Sequence, residues 1–132
     1  MVETKIQAIT IDEQGVFTIH KDWENTLEKM QQHVGGYIEA FTLTFDDVTE
    51  RRITAWLNDE GKLIGLEPTL VIVGSDEEVI DVLVGNLLIT CTDHEGETVG
   101  LTDEEVHLFL DKLGMAYDKG GNGVRCFFTD CY

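Results

Sequence analysis

Basic residues are scarce in this chain. Nine lysines and arginines stand against 26 aspartates and glutamates, a formal charge of −17 over 132 residues. A surface this negative repels phosphate, which argues against direct contact with nucleic acid or an anionic membrane. It suits a basic partner instead, and many basic cellular surfaces exist to hold DNA or RNA. Long hydrophobic runs are also missing, and none approaches the roughly 20 apolar residues needed to cross a bilayer. The opening stretch MVETKIQAITIDEQG has no basic segment followed by a long apolar one, so no secretory signal is expected. Proline occurs once, at Pro68, and no Ser- or Pro-rich linker divides the chain. Three cysteines cannot all pair within one chain, which points to a reducing compartment. What is present is apolar content of 42%, spread throughout, enough to offset chain entropy and argue against disorder. The expectation is one soluble, cytoplasmic domain over residues 1–132.

The charge is uneven. Residues 1–63 carry 12 acids and 6 bases, whereas residues 64–132 carry 14 acids against only Lys112, Lys119 and Arg125. Solubility alone is one explanation, since net charge away from zero limits association.

Local patterns predict the elements. Lys5–Ile11 and Val16–His20 flank the turn residues Asp12 to Gly15, which predicts a hairpin. Trp23, Leu27, Met30 and Val34 fall on one helical face, with Asp22 as cap and Gly35-Gly36 as stop, which predicts a helix over 23–34. Residues 37–45 and 52–57 read as strands, and Asn58 to Gly61 as a tight turn into a second hairpin at 62–65. Thr69–Val73 is β-branched and reads as a buried strand or a short packed helix. Ser75 and Glu78 have capping-box spacing, predicting one helical turn over 76–81. Residues 82–92 read as one central strand with a bulge at Gly85. Thr102 and Glu105 form a second capping box, with Leu101 and Val106 as the hydrophobic staple, for a helix over 103–113 ended by Gly114. Val124–Phe128 closes the chain as a strand. The fold class expected is α+β: a single domain with a mostly antiparallel sheet carrying both helices on one face.

No catalytic signature stands out. Cys91-x2-His94 and Cys126-x4-Cys131 supply zinc ligand types, but buried free cysteine is ordinary in apolar strands, and no metal or other cofactor is expected. The histidines His20, His33, His94 and His107 share no metal-binding spacing and read as single surface residues. Asp93, Glu95 and Glu97 alternate around Gly96 without the order of a calcium loop, so they read as a solvated turn. Lys119-Gly120-Gly121-Asn122-Gly123 precedes a strand rather than a helix, which favours a hairpin turn over a phosphate cradle. The acids fall in four groups: Asp46, Asp47 and Glu50; Asp76, Glu77, Glu78 and Asp81; Asp93, Glu95 and Glu97; and Asp103, Glu104 and Glu105. If folding makes them neighbours, they form a negative strip able to occupy a nucleic-acid channel by electrostatic steering.

Four strings occur in order: Val34-Gly35-Gly36-Tyr37-Ile38-Glu39, Asn58-Asp59-Glu60-Gly61-Lys62, Asp81-Val82-Leu83-Val84-Gly85-Asn86 and Leu101-Thr102-Asp103-Glu104-Glu105. Over about residues 25–105 the chain resembles an uncharacterised family of small accessory proteins from bacteriophages, plasmids and conjugative elements. It departs from the family at Glu67-Pro68-Thr69-Leu70, where the family tends to an asparagine-containing, helix-like segment. The resemblance brings no activity and no functional residue. It implies a mobile-element protein in a bacterial cytoplasm, where small acidic proteins often block defence enzymes that handle DNA or RNA. The expectation is a non-enzymatic inhibitor of a CRISPR-type or restriction nuclease. Asp76, Glu77, Glu78, Asp93, Glu95 and Glu97 would meet that partner's basic nucleic-acid-binding surface. The alternatives are a small-ligand binder, with donors near Arg51, Arg52 or Lys119 to Gly123, and a structural or assembly domain.

Overall fold

The computed structural model describes residues 4–117 and 119–132. Residues 1–3, the start of the stretch read for a secretory signal, lie outside the described residues. The opening hairpin forms as β1 (Lys5–Ile11) and β2 (Phe17–Glu24). Asp12 Oδ1 accepts the backbone N–H groups of Gln14 and Val16 across the turn. With β3 (Ile38–Phe45), β4 (Arg52–Asn58) and β7 (Leu87–Thr92) they build an antiparallel sheet in the order β2-β1-β7-β4-β3, and the short β8 (Thr98–Val99) also pairs with β7. A second, mixed sheet contains β5 (Pro68–Val73), β6 (Val79–Val84), β9 (Leu113–Tyr117) and β10 (Gly123–Phe128) in the order β6-β5-β10-β9. Its β5–β10 pair is parallel.

The core lies between the sheets. Ile9, Ile11, Ile53, Leu87 and Ile89 from the first sheet meet Leu70, Ile72, Leu83 and Phe127 from the second. Strand β7 is buried along almost its whole length because both of its faces are covered. Leu87, Ile89 and Cys91 face the main core, where helix α2 (Asp103–Asp111) adds Val106 and Phe109. Leu88 faces the other way, toward Ile6, Ala8, Trp23 and Met30 of helix α1 (Leu27–Val34). The class is α+β, as expected, but the two helices occupy opposite faces of the first sheet. The second sheet fills most of the inner face, so α1 covers the outer one.

Other local readings are corrected. Helix α1 begins at Leu27 under a Thr26 cap, since Trp23 belongs to β2 and pairs with Ile6. Trp23 reaches the same apolar cluster from a strand, which mimics helical spacing. Gly35 does end the helix, at φ 83°. Residues 62–65 form turns, with Ile64 N–H donating to Glu60 and Leu66 N–H to Gly61, so no hairpin strand follows β4. Residues 69–73 are strand, not helix. The predicted helical turn at 76–81 is instead the β5–β6 hairpin, closed by Gly74 N–H donating to Glu78. Residues 82–92 are two strands in different sheets. Gly85 turns the chain between them at φ 77°, and a Cβ there would lie 2.7 Å from Leu66 Cδ1. Helix α2 has the predicted capping box but ends at Asp111. Gly114 sits inside β9 beneath the Phe128 ring.

Candidate acidic interaction surface

Strand direction gathers the acidic groups. Strands β3 and β7 are both antiparallel to β4, so they run the same way. Thr129, just past β10, donates its N–H to Val73 O at the end of β5 and its hydroxyl to Leu43 O in β3. The turns after β3, β5 and β7 therefore share one end of the molecule. Residues 46–50, 74–78 and 93–97 make up those turns. At the opposite end, the β1–β2 turn meets the starts of β5 and β10 around a cavity of about 210 Å³ lined by Glu13, Pro68, Gly123 and Arg125.

Arg51 adds the fourth group. Its guanidinium donates to Glu105 through Nη2 at 2.7 Å and Nε at 3.2 Å, and Nη2 also donates to Gly100 O at 3.0 Å. The start of α2 is thereby held beside the 46–50 turn. Glu105 closes the capping box by accepting Thr102 N–H. Burial works against its charge, but Arg51 and Thr102 more than offset this, and the carboxyl stays below its usual range. The Cys91 thiol lies 3.6 Å from Glu105, and burial together with that carboxylate pushes it up to about 12.

The six predicted contact residues divide by role. Asp76 and Asp93 form turns: Asp76 accepts Glu78 N–H, and Asp93 accepts the N–H groups of Glu95 and Glu97, both at 2.9 Å. Those bonds hold the Asp93 carboxyl below its usual range. Glu77, Glu78, Glu95 and Glu97 are exposed. Asp93, Glu95 and Glu97 lie on the Arg51 side of the end, and Asp76, Glu77 and Glu78 lie on the second sheet across the 46–50 turn. Asp81 is separated from its group: it belongs to β6 and pairs with Lys62 at 2.6 Å. Asp76, Glu77, Glu78, Asp93 and Glu97 take part in no ion pair among the described residues.

The other candidates fall elsewhere. Among the described residues no three His, Cys, Asp or Glu side chains are placed to hold a metal ion. Cys91 and Cys126 are buried and Cys131 is exposed. The stretch from Lys119 to Gly123 connects β9 and β10. The histidines are not uniformly superficial, because His33 donates from Nε2 to Leu87 O and His20 bonds Thr10 Oγ1. Trp23 lies between them, with ring centroids 5.2 Å from His20 and 5.5 Å from His33. Burial, followed by neighbouring positive charge, lowers both histidines from 6.5. The unfolded chain therefore takes up these protons first, and stability is lost as pH falls from 6.5 through the folded values. In a Trp56→Phe protein, the Trp23 emission is expected to drop with a midpoint below pH 6.5. Adding His33→Gln should reduce that drop, and an unchanged titration would contradict the packing.

Sequence reasoning named Asp47 and Arg52 but passed over Phe45, Asp130 and Tyr132, their neighbours between the two acidic flanks. Phe45, Asp47, Arg52, Asp130 and Tyr132 line a groove of about 600 Å³ there. Its only sequence signal is an aromatic residue at a strand end followed by two aspartates.

A family model described as Domain of unknown function (DUF3846) matches residues 6–114. The chain belongs to that family. The DUF3846 match runs from β1 into β9, so it takes in the whole first sheet, β5, β6 and both helices, and leaves β10 and the 129–132 tail outside. No curated protein and no solved structure matches the chain. None of the helices among the described residues is long and apolar enough to cross a membrane.

Proposed function

We propose that this DUF3846 protein is a non-enzymatic binding protein whose acidic end occupies the basic, nucleic-acid-binding surface of another protein. The observation that carries the reading is the gathering of acidic groups far apart in sequence onto one end, with five of the six predicted contact carboxylates in no ion pair among the described residues. Carboxylates fixed on turns attract a cationic cleft over a Debye length of about 10 Å at 0.1 M salt, and the attraction fades as salt rises. The partner class that follows is a nuclease of a bacterial defence system, CRISPR-type or restriction, with inhibition arising from exclusion of its DNA or RNA. The chain's resemblance to accessory proteins of phages and plasmids supports this choice.

The test is capture from a bacterial lysate at low and high salt, with a fourfold variant carrying Glu77→Lys, Glu78→Lys, Glu95→Lys and Glu97→Lys. Asp76 and Asp93 are left in place because they shape their turns. Nucleic-acid-binding enzymes are expected on the native protein at low salt, with binding to the variant weaker by about tenfold or more. A variant that captures the same enzymes with the same salt dependence would refute the reading. A panel of nucleotides is expected to leave the melting temperature unchanged, whereas a small-ligand binder would be stabilised by mass action.

A further inference from the structure

The groove between the two acidic flanks is built differently from its surroundings. Tyr132 is fixed at both ends: its hydroxyl donates to Thr42 O at 3.0 Å, and its carbonyl accepts Ser75 Oγ at 3.2 Å. Its ring lies 5.6 Å from that of Phe41, and half of the residue stays exposed. Phe45 is 45% exposed across the groove. Asp47 and Asp130 line the groove and are both exposed; Asp130 stands 4.0 Å from Lys112 Nζ, while Asp47 takes part in no ion pair among the described residues. The fixed ring of Tyr132 and the exposed ring of Phe45, beside carboxylates, favour a planar cation, because a ring face attracts the charge and the carboxylates accept its N–H groups. The chain itself displays such a contact, with the Arg52 guanidinium 5.2 Å from the Phe45 ring centroid.

We infer that this groove is an anchor site for an arginine side chain presented by the basic partner. The inference rests on the docking role proposed for the acidic end and names the group that end recognises. Arginine is preferred over lysine because its guanidinium is flat, weakly hydrated and stacks on aromatic rings, whereas an ammonium is a compact, strongly hydrated charge. Asp130 and Tyr132 lie beyond the residues matched by the family model, so the groove is completed by the part of the chain outside that match.

The experiment uses two fluorescent eight-residue probes of equal charge, one alternating arginine with glycine and one alternating lysine with glycine, titrated by anisotropy. The native protein is expected to bind the arginine probe about fivefold more tightly than the lysine probe. A Phe45→Leu and Tyr132→Leu double variant should bring that ratio to about one while lysine-probe affinity stays within about twofold. Phe45→Leu alone keeps the Tyr132 bonds and should lower the ratio part of the way. Thermal melting checks that each variant is folded. Equal affinities on the native protein, or a ratio that survives the double variant, would overturn the groove. If in that case the four-lysine variant still loses both probes, the docking role of the acidic end stands without it. Undiminished binding of both probes by the four-lysine variant overturns the docking role and the groove together.

Discussion

Replacing Phe109 by alanine is expected to lower the unfolding free energy by about 4 kcal/mol and the melting temperature by about 10 °C or more. Phe109 is fully buried, with its ring centroid 6.2 Å from Phe17 of β2 and 5.2 Å from Phe127 of β10. It is the point where α2 and both sheets meet. Each neighbour is held by its own strand ladder and cannot collapse into the space left behind, so the loss combines transfer and cavity costs. Phe109→Leu fills most of that space and is expected to cost about 1–2 kcal/mol. Denaturant or thermal unfolding of the two variants measures the difference. Equal costs would mean that α2 is not docked through this ring.

Removing the Glu105 carboxylate by alanine is expected to cost about 3 kcal/mol, for a different reason. The substitution leaves the half-buried Arg51 guanidinium without its bidentate partner and Thr102 N–H without its acceptor. It also frees the start of α2 from the 46–50 turn. The pH dependence has a definite sign. The folded carboxyl titrates below the ordinary value of 4.5, because the Arg51 and Thr102 bonds outweigh the opposing effect of burial. Below 4.5 the unfolded chain takes up this proton more readily, so the stabilisation is present above that value and disappears as pH falls through the folded one. A Glu105→Gln protein should therefore melt lower than the native protein at pH 7, and the gap should close in acid. A gap independent of pH would show that the charge of Glu105 contributes nothing. The Cys91 thiol beside it stays protonated at neutral pH, so its alkylation in the native protein is expected to be slow.

These two residues mark how far the sequence could be read. The capping box at Thr102 and Glu105 and the stop at Gly35 are local devices, written in residues three or four apart, and both occur where the pattern placed them. The division into two sheets is not local. Strands β6 and β7 are both apolar, and nothing in Val82–Thr92 says that the two halves pair with different neighbours. Only the left-handed turn at Gly85 separates them. Strand β9 was hidden by Gly114, which resembles a helix stop but instead makes room for the Phe128 ring. The acidic residues were legible as groups, while their arrival at one end depends on strand direction. Tyr132 is brought beside Phe45 by its bonds to Thr42 O and Ser75 Oγ and its ring contact with Phe41, contacts that no spacing rule encodes.

The parallel pair in the second sheet bears on the order in which the molecule assembles. Leu70 is in register with Arg125, and the later strand enters between β5 and β9. Bringing such distant segments together costs loop entropy before any contact repays it, which slows folding. Helix α1 and the antiparallel sheet it covers can form from earlier segments. The inner face of that sheet has no complete cover until residues 123–128 arrive with Phe127. A nascent chain at that stage would display an apolar surface and an open strand edge, and its productive maturation depends on the last strand inserting before another molecule does.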